Sequence, residues 1–138
     1  MASQELRVEP LISEISRVTG WLESCCVAEG LAEDATLQIA LALEEAVTNV
    51  INHAFAGLPP PYQITVRIEI TRDRIAAEVI DNGHPFDPTS MPDPDITLPL
   101  EGRPPGGMGI HLIRSMMDRM QYRRTDGNNF LRLEQARR

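Results

Sequence analysis

Residues 63–70, QITVRIEI, set Ile64, Val66, Ile68 and Ile70 in strict alternation with Thr65, Arg67 and Glu69. A period of two puts the branched apolar side chains on one face of a strand and the polar ones on the other, so the segment reads as a half-buried strand. After a tight turn near Arg72 and Asp73, IAAEVI places Ile75, Ala77 and Val79 on one face and continues as an antiparallel partner. It ends in the turn chemistry of Asp81-Asn82-Gly83. The apolar face of this hairpin needs a cover.

Two segments upstream can supply it. Glu5 to Glu9 alternates around Leu6 and Val8, a short strand signal. Pro10 suits a first helical position, and Leu11, Ile15, Val18, Leu22 and Cys25 recur at helical spacing until Gly30. A longer helix is predicted from about Ala32, with Glu33 and Asp34 in its first turn where the helix dipole favours negative charge. It runs to about Phe55, and Gly57 with Pro59, Pro60 and Pro61 stops it.

Downstream, seven of the eleven prolines lie between residues 85 and 105, mixed with Asp87, Asp93 and Asp95. Neither helix nor strand is expected over about 84–106, and a functional lid is the reading preferred over a disordered loop. Gly106-Gly107-Met108-Gly109 then opens a helix in which Ile110, Ile113, Met117 and Met120 keep helical spacing. The chain finishes as a hairpin: a strand near Gln121 to Arg124, a turn at Asp126-Gly127, and a strand whose Leu131 and Leu133 face the core. This order predicts a single α+β domain over 1–138, a two-layer sandwich in which helices pack on one face of a mixed, mostly antiparallel sheet.

Composition narrows the chemistry. All 13 basic residues are arginine. The absence of lysine removes the P-loop nucleotide site and the Schiff-base and pyridoxal-phosphate routes, which need a lysine amine. No apolar run approaches the roughly 20 residues of a membrane span, and MASQELRVEP lacks a basic start before an apolar stretch. A cytoplasmic protein without a membrane partner is expected. Cys25 and Cys26 are adjacent, offering neither a CxxC pair nor zinc spacing, and read as buried helix thiols. The net charge of −7 divides unevenly: residues 1–110 hold 17 acids against 6 arginines, the remainder 3 against 7. Seven arginines on an acidic chain are a poor nucleic-acid footprint and suit a solvated strand face or an acidic protein partner.

Three features can carry chemistry. In the long helix Glu45, Asn49 and His53 are spaced i, i+4, i+8 and form one polar stripe. A carboxylate and an amide oxygen one turn apart can act as base and metal ligand, but taken alone the stripe is better read as a solvated face, as Glu44, Thr48 and Asn52 form a parallel polar row. Asp81 at its strand end can accept from an exocyclic amino group, and Gly83 allows a ring to come close; a plain turn is the alternative. The glycine-rich helix start can bind an anion through backbone N–H groups without lysine, or serve as a hinge.

Taken together and in order, the features resemble the GHKL superfamily of nucleotide-binding domains, to which gyrase-type ATPases and histidine-kinase catalytic domains belong. LEEAVTN (43–49) looks like the N-box, DNGHPF (81–86) the first glycine box, and residues 106–113 the second. EEAVTNVINHAF and GGMGIHLIRSMMDRMQY are most similar to the small anti-sigma serine kinases of the RsbW and SpoIIAB type. The resemblance implies a histidine-kinase-like ATPase fold binding ATP or ADP, with Asn49 on a Mg²⁺ that bridges the phosphates. It implies Glu45 as the general base for a serine or threonine hydroxyl, and Asp81 on the adenine amino group with Gly83 beside the ring. Gly107, Met108 and Gly109, with Ile110 and His111 behind, would hold phosphate. Related kinases usually carry small hydroxyl residues after Gly127; here Asn128 and Asn129 stand, and Asn129 is the candidate contact near adenine. His53 is given a structural role with Asn49. Arg103 is a candidate for the γ-phosphate or a protein partner, against a merely solvated arginine.

No histidine precedes His53 and no helical hairpin presents a phosphoacceptor, so a complete histidine kinase is not expected. The implied function is an ATP-dependent serine/threonine protein kinase and anti-sigma regulatory factor that phosphorylates a STAS-type antagonist and sequesters a sigma factor. The alternatives are a nucleotide-sensing binding module and a stand-alone ATPase. Apolar surface on the first helix or a sheet edge would permit a homodimer.

Overall fold

Five strands form one sheet in the computed structural model, which describes residues 2–90 and 107–137. They are β1 (Ala2–Val8), β2 (Ile64–Ile70), β3 (Arg74–Asp81), β4 (Arg119–Thr125) and β5 (Asn128–Ala136), in the spatial order β1-β2-β3-β5-β4. The sheet is antiparallel at every pairing among the described residues, not mixed, because β5 enters between β3 and β4 and runs against both. The two expected hairpins are both present. In the second, Asp126 (φ 53°) and Gly127 (φ 78°) both lie in the left-handed region, as a two-residue type I′ turn requires.

Three helices cover one face: α1 (Ile15–Ala28), α2 (Glu33–Asn49) and α3 (Gly107–Met116). α2 lies between the other two and over β3 and β5. Its buried residues Thr36, Ile39, Ala40, Leu43 and Val47 follow the helical repeat, while Ala42 and Ala46 are small enough for close contact with a neighbour. Against them stand the inward rows of the strands, with Ile64, Val66, Ile68, Ile70, Ile75, Ala77, Val79 and Leu133 essentially inaccessible. Each such branched aliphatic contributes about 1.5–3 kcal/mol on burial. Cys25 and Cys26 are free, buried thiols of α1, and burial pushes Cys26 up to about 11.

The helix predicted from Pro10 begins later. Residues Ile12–Glu14 form a 3-10 turn, and the α-helix starts at Ile15. Glu14 folds back to accept the Glu9 N–H at 3.0 Å and pairs with Arg17 at 2.9 Å. That anchor turns the chain early, so Leu11 and Ile12 are exposed instead of joining the apolar stripe. The long helix also does not run unbroken to Phe55: after Asn49 it widens into a π-helical turn, Val50–Ala54. In the expected lid, residues Pro88–Ser90 form a 3-10 turn, and residues 91–106, with Arg103 and Gly106, lie outside the described residues.

The other sheet face is charged. One cross-strand row reads Glu5, Arg67, Glu78, Arg132, Gln121. Arg67 reaches Glu5 (2.8 Å) and Glu78 (3.4 Å), while Arg132 reaches Glu69 (3.0 Å) and Glu134 (2.8 Å). The arginine-rich C-terminal part is therefore largely engaged within the fold. Arg114 donates to the carbonyls of Pro88 and Thr89, Arg137 to those of Thr71 and Glu29, and Arg123 stacks 3.9 Å over Phe130. Among the described residues no helix is long and apolar enough to cross a membrane.

Candidate functional site

The apolar stripe of α2 turns toward the sheet, which leaves Glu45 and Asn49 at its border with α3. Neither is fully buried. α3 begins at Gly107 and brings its first turn down on that border: a Cβ on Gly109 would lie 2.6 Å from Glu45 Oε2 and 3.9 Å from Asn49 Nδ2. A side chain at 109 would press on the carboxylate end of Glu45, which would have to swing aside, so the first turn of α3 lies directly against Glu45 and Asn49. Gly107 and Met108 belong to this same first turn. Ile110 is 2% exposed, so only its backbone could meet an anion, and His111 follows on α3 outside the cavity lining.

The π-helical turn explains the first glycine box. Ala54 O accepts the His84 N–H at 2.8 Å, and a Cβ on residue 83 would lie 2.6 Å from Ala54 Cβ. The missing side chain of Gly83 is therefore needed for the seat of Ala54, a cause the approach of a ring does not include. His84 Nε2 also reaches Ala56 O at 2.6 Å, fastening the loop after β3 to the end of the long helix. His53 is exposed on the π-helical turn and borders the cavity; among the described residues no hydrogen bond joins it to Asn49. The wider π-helical turn carries it off the regular i+4 row.

At the end of β3, Asp81 is 5% exposed, and its Oδ1 accepts the Gly83 N–H and Asn129 Nδ2, each at 2.9 Å. Burial pushes this carboxyl above its ordinary value, against the pull of Asn129, the Gly83 N–H and the Arg124 charge. Asn129 sits directly opposite on β5 and is equally buried. Tyr122 OH (2.6 Å) and Arg124 Nη1 (3.0 Å) donate to its Oδ1, while its Nδ2 also donates to His84 O (2.8 Å). Arg124 adds a bond to Gly83 O at 2.9 Å.

Between these groups lies a cavity of about 440 Å³, within the usual range for small-molecule sites. Asn49, His53, Asp81, Ile110, Tyr122 and Asn129 are among its walls. Glu45 stands beyond the Asn49 end, under α3. Sequence reasoning missed Tyr122 and Arg124. The signal was available in the two-residue turn, which sets Arg124 opposite Asn129 and Tyr122 opposite Leu131. Among the described residues no three His, Cys, Asp or Glu side chains cluster as a metal cage. One amide oxygen at Asn49 with a carboxylate nearby suits Mg²⁺, which keeps several waters and takes most other ligands from phosphates.

The sequence profile of the histidine kinase-like ATPase domain matches residues 8–134. The chain is 33% identical over 114 residues to the serine/threonine-protein kinase BtrW of Bordetella bronchiseptica, covering 82% of this chain and 79% of that protein. It is 32% identical over 106 residues to the serine-protein kinase RsbW of Bacillus cereus, covering 74% of this chain and 65% of that protein, just under two thirds. A solved structure of the RsbU and RsbW domains of a Mycobacterium tuberculosis protein superposes with a TM-score of 0.71 at 16% identity, over 100% of this chain and 33% of that one. The histidine kinase domain of the blue-light activated histidine kinase from Erythrobacter litoralis gives 0.55 at 14% identity, over 91% and 60%. These two likenesses describe the fold.

Proposed function

Because this chain belongs to the histidine kinase-like ATPase domain family, and the matched span contains every residue of the site, we propose that it is an ATP-dependent protein serine/threonine kinase. Its substrate on this reading is a small STAS-type antagonist protein, and when the unphosphorylated antagonist is absent the chain sequesters a sigma factor, acting as an anti-sigma factor. Residues 1–138 form one ATP-binding kinase domain. The observation that carries the reading is the seat of Gly109 on Glu45 and Asn49, with the cavity leading from Asn49 to Asp81.

Mg²⁺-ATP, when bound, supplies the γ-phosphoryl group and leaves as Mg²⁺-ADP. Asp81 accepts the adenine amino group, Asn49 offers its amide oxygen to the cation, and the first turn of α3 presents N–H groups to phosphate oxygens. Glu45 holds the proton balance: it takes the hydroxyl proton of the attacking serine as the new O–P bond forms and the β,γ-bridging O–P bond breaks. Positioning and charge neutralisation then account for most of the rate. The names of BtrW and RsbW as serine or serine/threonine kinases support the acceptor class.

The test uses the full chain, γ-labelled ATP, Mg²⁺ and serine-bearing STAS proteins. Label is expected on the partner. Glu45→Ala lowers transfer by about 10²–10⁴-fold while nucleotide affinity stays within about twofold. Bound nucleotide with no transfer to any partner contradicts the kinase reading, and steady release of phosphate without a partner supports a bare ATPase instead.

A further inference from the structure

A carboxamide has a direction. Its oxygen accepts two hydrogen bonds and its nitrogen donates two, so the groups around a buried asparagine decide which way it faces. Around Asn129 all four positions are filled: Tyr122 OH and Arg124 Nη1 donate to Oδ1, and Nδ2 donates to Asp81 Oδ1 and His84 O. Arginine cannot accept, and neither an ionised carboxylate nor a carbonyl can donate, so a reversed amide would set like against like on both sides. With no position left over and 5% exposure, Asn129 has no group to offer a nucleotide directly.

We propose that Tyr122 and Arg124 are positioning residues for base recognition: together they hold the Asn129 amide so that it donates to Asp81, and thereby aim the second oxygen of that carboxylate into the cavity as an acceptor. This rests on reading the cavity as an ATP site. Among the described residues both hydrogen bonds to the Asp81 carboxylate fall on Oδ1, from Asn129 and from the Gly83 N–H, and none falls on Oδ2. An acceptor held in this way selects a base with an exocyclic amino group and repels a 6-oxopurine, whose oxygen would face the carboxylate. Asn129 on this account supports Asp81 and does not touch the base. The residues that set base choice extend to the far strand of the sheet, since Tyr122 and Arg124 both lie on β4.

The test measures binding of Mg²⁺-ATP and Mg²⁺-ITP to the full chain by titration calorimetry, for the unmodified protein, Tyr122→Phe, Arg124→Met, Asp81→Asn, and each of the first two combined with Asp81→Asn. Tyr122→Phe and Arg124→Met are each expected to weaken ATP about three- to tenfold, the loss of one hydrogen bond, and to leave ITP nearly unchanged. In the Asp81→Asn background neither weakens ATP further, because its effect runs through Asp81. Arg124→Lys recovers part of the loss. Arg124 is exposed, so Arg124→Met carries the test if Tyr122→Phe folds poorly. Equal losses for ATP and ITP, equal losses with and without Asp81, or no loss at all overturn the proposal. An unmodified chain that binds no nucleotide overturns the functional reading and this inference with it; one that binds ATP but ignores both substitutions overturns the inference alone.

Discussion

Asp81 is a carboxylate kept where burial opposes its charge, and that conflict separates what it does for folding from what it does for binding. Its ionisation lies above the ordinary value in the folded chain, so the folded state holds the proton more tightly than the unfolded one. Stability tied to this group is complete below the unfolded value, near 4, and is lost as pH rises through the folded value. Asp81→Asn keeps an oxygen for Gly83 and Asn129 and removes the charge. In urea unfolding the variant is expected to match or exceed the unmodified chain at neutral pH, with the difference growing above about pH 4 and vanishing in acid. Its NH₂ group then points where the acceptor was, so ATP affinity falls about tenfold or more and ITP gains relative to ATP. A variant less stable at pH 7 than at pH 3, relative to the unmodified chain, would contradict this account. On its own Asp81 reads as a plain strand-end turn, and only its place in order between LEEAVTN and the glycine-rich helix start marks it as a candidate site residue. Tyr122 and Arg124 carry no such mark, since each reads as an ordinary strand residue until the Asp126-Gly127 turn is used to count across to Asn129.

The elements were legible where one period held throughout, as in β2 and the inward stripe of α2, and not where the backbone changes its pitch. The π-helical turn at Val50–Ala54 adds a residue to a helix without altering its apolar composition, so periodicity alone runs straight through it. Its purpose shows only in the fold, where Ala54 meets Gly83 and the loop after β3 is tied down at His84. Gly83→Ala must push one backbone off the other. It is expected to lower the unfolding free energy by about 1–3 kcal/mol, as overpacking does, and to weaken nucleotide binding by moving Asp81. Chemical denaturation with a parallel ATP titration checks both, and unchanged stability would mean that the close approach is not rigid. The late start of α1 has the same kind of cause: Glu14, held down to about 2 by Arg17 and the Glu9 N–H, fastens the chain before the helix begins, and no spacing rule reports such a bond.

Over the whole molecule, acid response follows from the charged face of the sheet. Arg132 holds Glu134 below the ordinary carboxylate range, so the stability linked to that pair is present above the unfolded value and lost as pH falls through the folded one. Arg132→Met is expected to cost about 1 kcal/mol or less at neutral pH, in keeping with partly exposed pairs, and to flatten the loss of urea midpoint below about pH 4. An unchanged acid slope would show that Arg74, 2.8 Å from the same carboxylate, suffices. The uneven charge seen along the sequence thus resolves into pairs that cross the sheet, which a linear tally could not display. The strand order carries a consequence in time as well. β5 follows the other four strands along the chain yet occupies an inner place, hydrogen-bonded to β3 on one side and β4 on the other. Ribosomal synthesis delivers Asp81 long before Asn129, so the nascent chain waits with an open β3 edge and half a binding wall. The two halves of that wall, Asp81 and Asn129, meet only once the β4–β5 hairpin closes onto β3.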